Sequence, residues 1–245
     1  MKNNYKIIVQ FDGTNYKGWQ YQSPEIKTIQ GEIVKAVTII SKKKTTVYGS
    51  SRTDSGVHST GLTANFYLNI KIESNSLLKA LNSLLPQDIR ITECELKDKS
   101  FNSRSYAKSK TYIYKIFFGQ VMSPFKTRYT NHIPYPLNLD NMRKAVKYFI
   151  GEHDFSSFTS DEPNKRRTRE ITEFKMKRKK QEITFTIKGK SFLRYMVRNI
   201  IGTIIDVGRG KFSPEYISTI FEAKDRRKVG QAAPAKGLTL YKVEY

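Results

Sequence analysis

Apolar residues recur along this chain with two periods, and the switches between them lay out its elements. Residues 5–11 (YKIIVQF) alternate as a strand does and stop at Asp12-Gly13. Ile29, Ile33, Val34, Val37 and Ile40 fall at helical spacing, which predicts an amphipathic helix over 28–41. TTVYG at 45–49 and LTANFYL at 62–68 read as short strands. Leu77, Leu78, Leu81, Leu84 and Leu85 line one face of a helix over 74–86, begun by Ser or Asn and left before Pro86. IRITECEL at 89–96 alternates again, so this part of the chain reads β-α-β-β-α-β.

The remainder repeats that order. TYIYKIFF at 111–118 is a strand, and Tyr112 and Tyr114 share one of its faces. Residues 140–151 place Met142, Ala145, Val146, Phe149 and Ile150 on one helical stripe, with Gly151 as C-cap. Segments 171–178 and 182–188 form a strand pair turning near Lys180-Gln181. The run FLRYMVRNIIGTIIDVG at 192–208 carries apolar pairs at 192/193, 196/197, 200/201 and 204/205, a regular helix. A short helix at 214–222 precedes a closing strand, LTLYKVEY at 238–245, while 119–137 and 152–169 read as loops. The expected fold class is therefore α+β, with two ferredoxin-like halves spanning 1–105 and 106–245. Their sheets are expected to join into one largely antiparallel sheet with helices on one face, leaving an open face for RNA.

Charge adds a partner to this outline. Lys and Arg number 44 against 22 Asp and Glu, a net charge of +22. The clusters are Lys42-Lys43-Lys44, KRRTR at 165–169, KRKK at 177–180 and RRK at 226–228. Each alone reads as a solvated face, but the total excess, with 15 Tyr and 14 Phe for stacking, favours nucleic acid. A membrane surface is the weaker alternative, since no basic amphipathic helix stands apart from the core. No apolar run approaches the roughly 18 residues that span a bilayer. The N-terminus has no signal-peptide pattern, and the expected compartment is the cytoplasm. Cys94 is the only cysteine, and His58, His132 and His153 are too scattered to suggest a metal cage.

The loop GSSRTDSGVHSTG at 49–61 holds one candidate acid. Asp, Ser and Gly favour turns whatever else they do. Three features point beyond a turn: the loop joins neighbouring central strands, Arg52 stands two residues from Asp54, and an RNA-binding surface has no need of a carboxylate. Arg198 is a second candidate, at the margin of the apolar stripe, where a partly desolvated cation needs an anionic partner. A snorkelling arginine is the plainer account of it, as sheet packing is of Tyr112 and Tyr114. Other patterns fail: GKS at 189–191 has Thr184 where a phosphate loop needs glycine, and GRG at 208–210 has Ser213 where a dinucleotide fingerprint needs its third. Ser51, Ser55 and His58 are close in sequence without making a separated Ser-His-Asp set.

Together these segments resemble the tRNA pseudouridine synthase A family. RTDSGVH at 52–58 is similar to its catalytic loop, FDGTNYKGWQYQ at 11–22 to its N-terminal signature, and TIQGEIVKAV at 28–37 to the helix that follows. KTYIYKI at 110–116, GEHDFSSF at 151–158, GKSFLRYMVRNIIG at 189–202 and APAKGLTLYKVEY at 233–245 continue the resemblance in order. It implies an isomerase that converts uridine to pseudouridine in tRNA without cofactor or metal. Asp54 matches the essential aspartate, acting on the ribose either as nucleophile or by removing the 2′ proton. Tyr112 matches the tyrosine stacked on the base, and Arg198 the arginine paired with the aspartate. Arg52 would contact RNA or fill the space of the flipped uridine, with Val197 and Leu238 as apolar walls. The resemblance also implies a homodimer holding tRNA across shared basic clefts, and targets at positions 38, 39 and 40 of the anticodon stem-loop. Two residues depart from the family loop, Ser51 for Gly and Ser59 for Ala. They leave room for the same chemistry on ribosomal or messenger RNA. A noncatalytic RNA-binding protein on the same scaffold is the remaining alternative.

Overall fold

The computed structural model describes residues 2–160 and 166–245. Lys165 of the basic cluster, and residues 161–165 of the expected 152–169 loop, lie outside them. The fold is mixed α+β. Contacts divide it into two units, Met1–Lys108 with Thr239–Tyr245, and Ser109–Leu238.

The first unit runs β1 (Asn3–Phe11), α1 (Ile29–Ser41), β2 (Val47–Gly49), β3 (His58–Leu68), α2 (Ser74–Leu84) and β4 (Ile89–Lys97). This is the β-α-β-β-α-β order read from the periodicity. β1 pairs antiparallel with β4 on one side and β3 on the other, and β2 pairs antiparallel with β3. The alternation that predicted the strands is the alternation that fills the core. Tyr5, Ile7 and Val9 of β1 are buried with Leu62, Ala64 and Phe66 of β3, and with Ile29, Ile33, Val37, Leu77 and Leu81 from the helices. Thr28 caps α1 by accepting from the Gly31 N–H. Glu73, rather than the expected Ser or Asn, caps α2: its carboxylate accepts from the N–H groups of Asn75 and Ser76 at 2.9 and 2.7 Å.

The second unit contains β5 (Ser109–Phe118), β6 (Asn131–Ile133), α3 (Leu139–Lys147), β7 (Gly151–Asp154), β8 (Thr168–Lys179), β9 (Glu182–Gly189), α4 (Met196–Gly208) and α5 (Tyr216–Ala223). Its strands lie in the order β5-β9-β8-β7, antiparallel throughout, with β6 added in parallel to β5. Lys180 at φ 54° makes the tight β8–β9 turn. One face is apolar: Tyr112, Tyr114 and Ile116 lie beside Ile183, Phe185 and Ile187, all buried. The other carries Thr111, Ile113 and Lys115 beside Thr184, Thr186 and Lys188, all at least partly exposed.

Two helix boundaries differ from the periodic reading, each for a backbone reason. α4 starts at Met196 rather than 192, because Tyr195 adopts a left-handed φ of 60° that ends any helical run through it. α3 stops at Lys147, and Gly151, at φ 104°, opens β7 instead of capping the helix. The closing strand β10 (Leu238–Glu244) pairs in parallel with the start of β3, Thr239 opposite His58 and Leu240 opposite Ser59. Its residues from Thr239 onward therefore belong to the first unit, a placement set by a partner some 180 positions earlier that no local pattern encodes. The stretch 119–137 is not all loop, since it contains β6.

Candidate active site

In the first unit, residues 50–57 link β2 to β3, starting from a Ser50 N–H bond to the Thr63 carbonyl at 2.9 Å. Burial then alternates along the chain: Ser51 and Thr53 are buried, Arg52 is exposed and Asp54 is half-buried. The chain then reverses over 54–57, the Val57 N–H donating to the Asp54 carbonyl at 3.2 Å with Gly56 at φ 76°. Asp54 thus does make a turn, and it closes it through its main-chain carbonyl.

That turn is held by the N-terminal signature, a role the sequence did not disclose. The Trp19 N–H donates to the Thr53 carbonyl at 3.1 Å, and the Tyr16 carbonyl accepts from the Gly56 N–H at 3.3 Å and the Ser55 hydroxyl at 3.2 Å. The Gly13 N–H donates to His58 Nδ1 at 3.1 Å. Such close approach of two backbones needs glycine. A Cβ at Gly13 would stand 2.0 Å from the Val57 carbonyl oxygen, and one at Gly18, at φ 87°, 2.5 Å from that of Thr53. Tyr16 is itself fixed, its hydroxyl donating to Asp88 and Lys27 lying 4.6 Å over its ring. Burial, with the Asp88 carboxylate beside it, raises that hydroxyl's pKa above the usual tyrosine range, so it remains a donor.

Ser59, one of the two departures, is used inside the fold. Its buried hydroxyl donates to the Leu240 carbonyl at 2.9 Å and accepts from the N–H groups of Gly61 and Leu62 at 3.1 and 2.9 Å. Ser59→Ala is expected to lower unfolding stability by about 1–3 kcal/mol, because buried backbone groups lose their partner. Denaturant unfolding measures this; a variant of normal stability but altered RNA preference would instead place Ser59 at the substrate.

In the second unit, Tyr112 is buried on β5 and meets the Phe192 ring edge-on at 5.1 Å. It lies on the buried, apolar face of the sheet with Tyr114 and Ile116. Tyr114 belongs to the core. Its hydroxyl donates to the Pro234 carbonyl at 2.9 Å, its ring fills the space a Cβ at Gly237 would need, and burial raises its pKa against the opposing charge of Arg198. Val197 and Leu238 are buried, Leu238 directly following Gly237. Arg198, Tyr114 and Leu238 therefore gather about the segment 233–238.

Arg198 is half-buried and anchored: its Nε donates to the Ala233 carbonyl at 2.8 Å, and its own carbonyl accepts from the Ala233 N–H at 2.9 Å. The neighbours in RNIIG hold that segment in place. Asn199 donates to the Phe158 carbonyl at 2.7 Å and accepts from Arg226 at 2.9 Å, while Arg226 also donates to the Val229 and Gly230 carbonyls. Gly202 admits the Gln231 carbonyl to where a Cβ would be 1.9 Å away. Asn199, Gly202 and Ala233 are supporting residues that helical periodicity passes over, since their partners are distant in sequence. Among the described residues no group of three or more His, Cys, Asp or Glu is placed to hold a metal ion. No helix among them is long and apolar enough to cross a membrane.

Comparison with known proteins decides the family. The family described as tRNA pseudouridine synthase matches residues 7–104 and 145–245, most of the chain and every candidate residue except Tyr112. The chain belongs to the tRNA pseudouridine synthase family. Proteins named tRNA pseudouridine synthase A from Clostridium kluyveri and Acetivibrio thermocellus are each 41% identical over 243 residues, 99% of both chains. A Bacillus anthracis protein named tRNA pseudouridine synthase A 2 is 38% identical over 244 residues, 99% of this chain and all of its own. The activity of the family is isomerisation of uridine in tRNA, and the acid-bearing loop of the first unit and the arginine helix of the second both lie within the matched residues.

Proposed function

We propose that this protein converts uridines 38, 39 and 40 of the tRNA anticodon stem-loop to pseudouridine, in the cytoplasm and as a homodimer. The observation that carries the reading is Asp54, an acid on a turn fixed by glycine-dependent backbone contacts in a chain of net charge +22. A carboxylate held on such a turn in so basic a chain supports the reading of a reactive group, since an acid opposes phosphate binding.

The reaction breaks the bond from ribose C1′ to N1 of uracil and forms one from C1′ to C5. The C5 proton is lost and N1 gains one, so no electrons or atoms are exchanged with a cofactor. Asp54 acts at the ribose, either by attacking C1′ or by removing the 2′ proton. Tyr112 stacks on the detached base and assists loss of the C5 proton. Arg198 is the counter-charge that keeps Asp54 ionised. Arg52, exposed between two buried neighbours, contacts the RNA. Val197 and Leu238 are apolar walls.

The test is a map of pseudouridines in all cellular RNA with and without the gene. Loss at tRNA positions 38–40 alone is the expected result; loss confined to ribosomal or messenger RNA would overturn the substrate, and an unchanged map the activity. The internal bonds of Ser59 favour the tRNA reading, because that departure already has a use within the fold.

A further inference from the structure

Helix α4 begins in an unusual way. Tyr195, the residue before it, has φ 60° and ψ −2°, a left-handed conformation that a bulky side chain adopts only under constraint from its surroundings. Its carbonyl still accepts the first helical bond, from the Asn199 N–H at 2.9 Å. Its side chain makes no cap hydrogen bond to the helix, so capping is not what the strain secures. What the geometry does supply is a ring beside two guanidiniums: that of Arg198 lies 4.9 Å from the ring centroid and that of Arg194 lies 5.3 Å away.

We propose that Tyr195 is a positioning residue for Arg198, its ring and the Ala233 carbonyl fixing the guanidinium from two sides. Guanidinium groups are attracted to the face of an aromatic ring, and planar ones stack on it with a defined orientation. A ring 4.9 Å from the guanidinium carbon narrows the orientations the group can take as it turns about the Nε bond. Pre-set orientation matters where a charge must meet a reacting group without reorganising. The left-handed φ is then the means of turning the ring back over the first turn of α4, where Arg198 emerges. The inference rests on the assignment of Arg198 as the counter-charge of Asp54.

The experiment measures single-turnover tritium release from tRNA transcripts carrying 5-tritiated uridine, alongside tRNA binding, for Tyr195→Leu, Tyr195→Phe, Tyr195→Gly and Arg198→Ala. Tyr195→Leu is expected to slow the chemical step about tenfold, the scale of losing a partly desolvated cation–π contact. Its tRNA affinity should change by less than about twofold, since the contact orients rather than binds. Tyr195→Phe keeps the ring and is expected to recover most of that rate. Tyr195→Gly relieves the backbone strain without restoring a ring, so it should remain slow; a full rate there shows that only strain was at stake and overturns the proposal. Combining Tyr195→Leu with Arg198→Ala should be no slower than Arg198→Ala alone. A slow Arg198→Ala beside a full-rate Tyr195→Leu overturns the inference and spares the assignment of Arg198. A full rate in Arg198→Ala overturns both.

Discussion

Asp54→Asn is expected to yield a folded protein that binds tRNA and makes no pseudouridine above a residual rate about 10⁴-fold down. The side chains are nearly the same size, and the turn at 54–57 is closed by the Asp54 main-chain carbonyl, which the substitution keeps. Fold and loop therefore remain. What disappears is the negative charge, and with it both the attack on C1′ and the removal of the 2′ proton. Binding should hold or tighten, because a carboxylate near phosphates opposes binding and its loss relieves that repulsion. The two measurements are single-turnover tritium release and filter binding across a salt series. A variant that isomerises at the normal rate would remove Asp54 from the chemistry; one that neither binds nor folds would show its carboxylate to be structural. A noncatalytic RNA-binding protein predicts something else again, tRNA binding with no pseudouridine even in the unaltered chain.

Much of this was legible in the sequence because it depended on local periodicity. Ile29, Ile33 and Val37 had to face one side of a helix, and Tyr5, Ile7 and Val9 one side of a strand; both sets are buried there. What escaped depended on contacts between distant residues. Nothing around Gly13 or Gly18 says that a loop forty residues on will pass within a carbonyl's width of them. Nothing in LTLYKVEY says that its partner is β3. The left-handed Tyr195 broke a hydrophobic pattern that ran smoothly through it, since strain imposed from outside leaves no trace in spacing. The chemistry itself was only half legible: an Arg-Thr-Asp-Ser-Gly loop has the composition of a turn and is one, and the reactive reading of Asp54 came from the family motifs rather than from composition.

Gly13→Ala is expected to lower the rate of pseudouridine formation about 100-fold, the effect of displacing a reacting group by about 1 Å. The methyl group would lie 2.0 Å from the Val57 carbonyl oxygen, and 2.7 Å from its carbon. Both are main-chain atoms, so no rotamer change can make room. Either the 12–19 segment or the turn carrying Asp54 must retreat, and the bonds from Gly56 and Ser55 to Tyr16 tie the two together. Overpacking of this kind costs about 1–3 kcal/mol of stability, which a domain of ordinary stability survives. The lost rate should therefore be seen at temperatures where circular dichroism shows a folded protein. Arg52 and the basic surface are untouched, so tRNA binding should change little. Gly210→Ala separates strain from collision: Gly210 has φ 78° but nothing within 4 Å of an added Cβ. It should lose some stability and no chemical rate. If Gly13→Ala isomerises uridine as fast as Gly210→Ala, the N-terminal signature does not set the position of Asp54, and the loop must be held by other contacts.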